Sequence, residues 1–120
     1  MVKSYIPKQG DIVFLDFTPT KGHEQKGYRP AVVISNDIFN KNTKMAILCP
    51  ITSNEKEFPT HYLLNDTKKV KGSVLCDHIR SIDYEFRNLK YVEKVSREDF
   101  ENIMDLVNAC LLLAVKTPLF

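Results

Sequence analysis

The 120-residue chain has no long hydrophobic run. Its longest unbroken apolar stretch, Ala109–Val115, falls far short of the ~20 residues that a bilayer-crossing helix needs. The segment Met1–Pro7 carries no apolar core of the kind a secretory leader has, so a leader is not expected. Cysteine is scarce: Cys49, Cys76 and Cys110 are an odd number, far apart, without a C-x-x-C pair. That excludes a disulfide framework and fits reduced thiols in a cytoplasm. The same three cysteines and the three histidines lack metal-ligand spacing, so neither a metal nor a cofactor is expected. A one-sided charge is missing too: Lys and Arg number 17 against 15 Asp and Glu, a net +2. Such a balance excludes a polybasic tail but leaves room for a local basic patch. There is no glycine-rich phosphate loop, no Ser-His-Asp order and no basic amphipathic helix for a membrane surface.

What is present reads as one globular domain spanning 1–120. The apolar share of 43% and the charged share of 27% are ordinary for such a domain, and a chain of this length buries roughly two-thirds of its unfolded surface. Short β-branched and aromatic runs at Ile12–Phe17, Pro30–Ser35, Met45–Thr52, His61–Leu64, Ser73–Ile79 and Leu89–Val95 predict six strands. Pro50 within the third marks an edge, a bulge or a bend. With no long helix between them, these strands predict an antiparallel sheet curled into a small barrel. The period then changes. Ser96 offers an N-cap, Glu98 and Asp99 acidify the first turn, and Phe100, Ile103, Met104, Val107, Cys110 and Leu111 make one apolar helix face. That helix is expected to end near Val115, before Pro118, and to cover one face of the barrel. Asp37–Lys41 reads as a short helix or turn. All three cysteines read as core. Leu111–Leu113 point around more than one side of the helix, which favours a dimer.

The most informative stretch is the polar segment Thr18–Arg29, long for a hairpin connection. Arg29 precedes Pro30, so its backbone is pushed toward extension and it starts a strand. A guanidinium anchored there suits phosphate, because its planar fork makes paired hydrogen bonds. A salt bridge to Glu24 or Asp16 is the competing use, and composition alone favours it.

The run Gly22-His23-Glu24-Gln25-Lys26-Gly27-Tyr28-Arg29-Pro30-Ala31-Val32-Val33-Ile34-Ser35 resembles the G-x-E-Q-x-G-x-R-P-x-V-V signature of the MazF/PemK toxin endoribonucleases. Gly10–Phe17 is similar to that family's opening strand, Pro50-Ile51-Thr52 to its third-strand end, and Asp77–Asp83 to its acid-polar-aliphatic-basic segment. The resemblance implies an SH3-like barrel of the MazF/CcdB toxin type with a C-terminal helix, assembled as a homodimer. It implies metal-independent cutting of single-stranded RNA at short sequences, by attack of a 2′-hydroxyl on the adjacent phosphate to leave a cyclic phosphate and a 5′-hydroxyl. It also implies a MazE-type antitoxin whose disordered tail covers the RNA groove, with DNA met only through that complex.

Family roles fall on Arg29 and Thr52 as catalytic residues. In-line attack builds charge on phosphate oxygens, and Arg29 would stabilise it. Thr52, β-branched at a strand end, would add a stiffly aimed hydroxyl, although without the resemblance plain strand composition or a turn cap is the preferred reading. Arginine keeps its proton at ordinary pH, so the base that accepts the 2′ proton is a separate matter. Glu24 is the nearest carboxylate, and His23 and His78 are candidates by chemistry. His78 stands where the family often has glutamine. It reads either as a base-recognising residue or as a hydrogen-bonded imidazole at the dimer seam. His61 reads as structural. Lys21, Lys26 and Lys56 lie in loops that the resemblance sets beside the groove, together with His23, Gln25, Asp77 and Arg80. Phe17 and Phe58 read as base-stacking faces or as core. The rival from another class is a toxin on the same barrel resembling the CcdB gyrase poisons. It would act by binding a protein, and Arg29 would be idle. A regulatory module without catalysis is the third reading.

Overall fold

The computed structural model describes residues 5–17 and 27–112. In chain order these form β1 (Asp11–Asp16), β2 (Tyr28–Val33), α1 (Asp37–Thr43), β3 (Met45–Thr52), β4 (His61–Leu63), β5 (Ser73–Leu75), β6 (Arg80–Asp83), β7 (Lys90–Lys94) and α2 (Arg97–Leu111). The strands pair antiparallel throughout, in the order β4-β5-β3-β2-β1-β7, with β6 also on β3.

The central strands are apolar at nearly every position because the sheet has a core on each face. Alternate residues serve each core, as the two-residue period of a strand requires. Ile12, Val32, Cys49, Ile51 and Val74 join Ile103 and Val107 of α2 in one core. Val13, Leu15, Phe17, Ala31, Val33, Ala46, Leu48 and Ile82 form the other. Each such fully buried aliphatic side chain contributes about 2 kcal/mol.

β3 organises the rest. On one edge it pairs with β2. On the other, Met45–Leu48 pair with β6, and Ile51 and Thr52 pair with β5. Pro50 falls in the gap between those two partners, where a missing N–H is least disruptive. The strand expected over Ser73–Ile79 therefore ends at Leu75, and a second strand follows it. The chain turns at Cys76–Asp77, His78 N–H closes onto the Leu75 carbonyl (3.0 Å), and the second strand, Arg80–Asp83, was not among the six expected. Arg80 reaches across to the end of β1, its guanidinium carbon 5.4 Å from the centre of the Phe17 ring and its Nη1 donating to the Phe17 carbonyl (3.3 Å). Arg87 Nη1 donates to the neighbouring Asp16 carbonyl (2.9 Å). These contacts draw the β6 end of the sheet onto the β1 end, so the sheet is strongly curled although the described ladders do not close a ring.

The short helix expected over Asp37–Lys41 forms as α1. Asn36 caps it by accepting from Phe39 N–H (2.8 Å), and Lys44 ends it in the left-handed conformation at φ 63°. Ser96 caps α2, accepting from Asp99 N–H at 3.0 Å. Asp99 itself is buried and accepts from the Tyr62 hydroxyl (2.5 Å) and from the amides of Asn65 (3.3 Å) and Asp66 (3.0 Å), which ties the helix to the β4–β5 connection. The apolar helix face is buried at Ile103 and Val107 but runs out of cover one turn later. Cys110, expected in the core, is exposed, as are Leu111 and Leu112. The helix stops at Leu111 rather than near Val115: Leu112 turns extended (φ −114°, ψ 134°), and the last turn is exposed.

Candidate active site

Four residues of interest collect at one end of the second core. Phe17 follows β1, Arg29 is the second residue of β2, Thr52 ends β3 and Arg80 opens β6. Strand parity puts all four on the same face. Arg29 stands across from Leu15, Arg80 across from Leu48, and both of those belong to the second core. The β2–β3 ladder runs only to Ala31–Pro50. Continued two residues further, its register brings Arg29 and Thr52 to facing positions where the two strands part. Residues facing in this way in an antiparallel pair present their side chains side by side.

Thr52 is held from two directions. Its Oγ1 accepts from Asn54 N–H (3.2 Å), and Asn54 Oδ1 in turn accepts from Lys56 N–H (3.1 Å), two side-chain turns in succession. The first bond leaves the threonine proton to be donated outward. Behind it, Gly72 approaches so closely that a Cβ there would lie 2.1 Å from the Thr52 carbonyl oxygen, and its φ of 134° is a conformation glycine tolerates. Gly72 thus lets the β4–β5 connection brace the strand end that carries the hydroxyl.

Thr52 opens on a cavity of about 260 Å³ that it shares with Asn54, Lys56, Phe58, His61 and His78. A second, larger depression of about 610 Å³ continues past Lys56, Phe58 and His61 to Leu63 and Ser73. The two share three lining residues and form one trough along the 53–60 loop. Phe58 exposes 55% of its surface there, and its ring packs on His61 at 5.1 Å between centres. His78 Nε2 lies 3.9 Å from Asp77 Oδ1, too long for a hydrogen bond, so the imidazole is steered by that carboxylate rather than locked to it. The trough offers a cation, a hydroxyl, imidazoles and an aromatic face within one concave surface, with the carboxylates of Glu55 and Glu57 flanking Lys56 in the larger part.

The candidates separate accordingly. Thr52, Lys56 and His78 line the trough, with Phe58 beside them. Arg29 and Arg80 stand at the adjoining strand starts. Asp77 is exposed in the turn before His78. Phe17, offered as a base-stacking face, is instead fully buried beneath Arg80, because its strand parity points it into the second core. Its place is that of the packing alternative. Arg80 uses one of its five donors on the Phe17 carbonyl and keeps others for a ligand. Lys21, His23, Glu24, Gln25 and Lys26 lie outside the described residues. The neck of their loop is defined: Phe17 N–H donates to the Gly27 carbonyl (2.9 Å), with Gly27 at φ 85°. His61, read from the sequence as structural, and Gly72 were not singled out for the site. Only the spacing of His61 from Phe58 across a proline hinted at the first.

Among the described residues no three His, Cys, Asp or Glu side chains gather as metal ligands would. Burial pushes the Cys49 thiol far up, aided by the charges of Cys76, Cys110 and Asp77, and pushes Cys76 up to about 12, so neither is a nucleophile. No helix among the described residues is long and apolar enough to cross a membrane.

The chain is a small curled sheet with a helix on one face and, at the end of β3, a threonine beside an open trough. The chain belongs to the family described as the PemK-like, MazF-like toxin of type II toxin–antitoxin systems, whose model matches residues 8–111. It is 35% identical over 111 residues to the endoribonuclease toxin MazF of Escherichia coli K12, covering 92% of this chain and 99% of that protein. It is 34% identical over 116 residues to endoribonuclease EndoA of Bacillus subtilis, covering 92% and 95%. Among solved structures, MazF of Deinococcus radiodurans superposes with a TM-score of 0.85 at 35% identity, over 90% of this chain and 98% of that one. A MazE–MazF crystal from the same organism gives 0.79 at 30% identity, over 92% and 100%.

Proposed function

We propose that this chain is an endoribonuclease toxin that cuts single-stranded RNA by attack of a ribose 2′-hydroxyl on its own 3′ phosphate, with Arg29 and Thr52 at the reacting phosphate. The observation that supports the reading is that Thr52 lines the trough and that the β2–β3 ladder, which ends at Ala31–Pro50, would set Arg29 opposite Thr52 if extended by two residues. As the 2′ oxygen attacks, negative charge grows on the phosphate oxygens. The hydroxyl braced by Asn54 and Gly72 is a donor whose position is set before substrate arrives, and the Arg29 guanidinium near the start of β2 would join it. Preorganised donors of this kind contribute roughly 3–4 kcal/mol each to the reaction barrier. The departing 5′ oxygen needs a proton, which Arg29 is placed to give. The 2′ proton needs an acceptor other than arginine. Glu24, in the loop outside the described residues, and His78, in the trough, are the two groups with suitable chemistry. Lys56 and Arg80, with Lys21, His23, Gln25 and Asp77, bind the strand on either side.

The reported relatives are named as endoribonucleases, which favours RNA cleavage over the gyrase-binding alternative. The MazE–MazF crystal of the Deinococcus relative supports a MazE-type antitoxin as partner, seated over the same trough. Leu111 and Leu112, exposed at 64% and 68%, are consistent with a homodimer. DNA would be met only through the antitoxin complex, and the toxin would act on mRNA in the cytoplasm. The test is cleavage of an unstructured RNA by the purified chain in EDTA, with 5′-hydroxyl ends at one short motif. Arg29→Ala is expected to abolish it while the far-ultraviolet circular dichroism is retained; full activity in that variant would remove the assignment.

A further inference from the structure

Resting on the assignment of Arg29 to the reacting phosphate, we propose that the turn Asp83–Asn88 is a clamp that sets where Arg29 stands, with Asp83 and Arg87 as positioning residues. The β2–β3 ladder ends at Ala31–Pro50, two residues short of Arg29 and Thr52, so past that point neither strand end is placed by the other. Thr52 has its own supports in Asn54 and Gly72. Arg29 pairs instead with β1, across from Leu15, and the next pair along is Asp16–Tyr28. Wherever the end of β1 lies, Arg29 goes with it. The described β1–β7 ladder stops at Phe14–Lys90. Just past it, Arg87 Nη1 donates to the Asp16 carbonyl (2.9 Å) and Arg80 Nη1 to the Phe17 carbonyl (3.3 Å). β6 is paired to β3, so these two bonds join the strand pair carrying Arg29 to the strand carrying Thr52 by a second route.

A long arginine side chain is a precise tether only if its own backbone is fixed, and the turn fixes it. Asp83 Oδ1 accepts from the amides of Glu85 (3.1 Å) and Phe86 (3.0 Å), and the Asp83 carbonyl accepts from Arg87 N–H (3.0 Å). Asn88 N–H donates to the Glu85 carbonyl (3.3 Å), with Asn88 in the left-handed conformation at φ 53°. An aspartate that bonds the backbone amides just ahead of it presets a turn before any other contact forms. Tyr84 and Leu89, buried in the second core, anchor the two ends, and the Tyr84 hydroxyl donates to the Asn40 carbonyl (3.0 Å). Asp83, Glu85, Phe86 and Asn88 are exposed, whereas Arg87 is half-buried and bonds back to β1. Bonding this complete in an exposed turn holds the one guanidinium it delivers to the end of β1.

A donor displaced by about an ångström loses much of its effect on the transition state, so the clamp acts on turnover rather than on RNA affinity. The experiment measures three quantities: single-turnover cleavage of an unstructured RNA, the Kd of the same RNA with a 2′-deoxyribose at the cut, and thermal unfolding. The variants are Asp83→Ala, Asp83→Asn, Arg87→Met and the pair Asp83→Ala with Arg87→Met. Asp83→Ala and Arg87→Met are each expected to slow cleavage about tenfold, with Kd within about threefold of wild type. Asp83→Asn removes the same charge but keeps the accepting oxygen, and is expected to cleave at the wild-type rate. Because Asp83 acts through Arg87, the paired variant is expected to be no slower than Arg87→Met. Equal rates in Asp83→Asn and Asp83→Ala overturn the proposal. So does a paired variant slowed by the product of the single losses, and so do losses that fall on Kd instead of rate. Should Asp83→Ala fail to fold, a wild-type rate in Arg87→Met overturns it. Arg29→Ala separates the two claims. An inactive Arg29→Ala beside a fully active Asp83→Ala removes the clamp alone, whereas full cleavage by Arg29→Ala removes the assignment beneath it as well.

Discussion

Replacing Gly72 by alanine tests the bracing of the catalytic strand end without touching any group that contacts RNA. The added methyl carbon would stand 2.1 Å from the Thr52 carbonyl oxygen, 3.0 Å from its carbonyl carbon and 3.3 Å from Ser53 Cα, all backbone atoms that no rotamer change can move aside. Relief requires the end of β3 to shift by about 1 Å, and a misplacement of that size at a reacting group lowers turnover about 100-fold. The φ of 134° adds backbone strain of about 1–3 kcal/mol for a residue with a Cβ. Gly10→Ala is the matched control. Its φ of 91° imposes strain, but its Cβ would meet only Val95 Cγ2 at 3.7 Å and Lys94 Cγ at 3.8 Å, and it lies away from the trough. Thermal unfolding and single-turnover cleavage of an unstructured RNA are to be measured for both variants. Both are expected to melt earlier, and only Gly72→Ala is expected to lose turnover. Wild-type turnover in a folded Gly72→Ala, or equal losses in the two, would refute the bracing.

Asp99→Ala strands the Tyr62 hydroxyl and the Asn65 and Asp66 amides, so urea denaturation is expected to show a loss of about 3 kcal/mol; a change under 1 kcal/mol would mean that the network does not hold α2. Burial raises the Glu93 pKa, but the amides of Lys68, Val70 and Lys69, with the Lys69 charge, outweigh it and hold the carboxyl below its ordinary value of 4.5. A depressed folded pKa means that the stability it confers is present above the unfolded value and lost as pH falls through the folded one. Glu93→Gln is therefore expected to flatten the loss of stability below about pH 4.5, and an unaltered acid limb in pH-dependent melting would contradict it.

Much of the fold is legible in the sequence because strand period and β-branched runs are local signals. Met45–Thr52 matches β3 at both ends, and the Ser96 cap marks the start of α2. The end of the fifth expected strand at Leu75 instead of Ile79 is not local. It depends on β3 changing partners at Pro50, which no property of the segment Val74–Ile79 announces. Cys110 was misread because periodicity gives the direction of a helix face but not how far the sheet beneath it extends. At the site, Arg29 and Thr52 are singled out by the resemblance, and the β2–β3 ladder ends two residues short of pairing them. The close approach of Gly72 to the end of β3 is not legible, because a Cβ that would stand 2.1 Å from the Thr52 carbonyl oxygen exists only in three dimensions.

The most direct test of Arg29 and Thr52 acting on one phosphate is a double-mutant cycle in the single-turnover cleavage rate, with Arg29→Ala, Thr52→Val and the pair. Two donors on one developing charge are expected to be non-additive, the double variant losing less than the product of the single losses by about tenfold or more. Strict additivity, or a Thr52→Val variant as fast as wild type, would contradict the account.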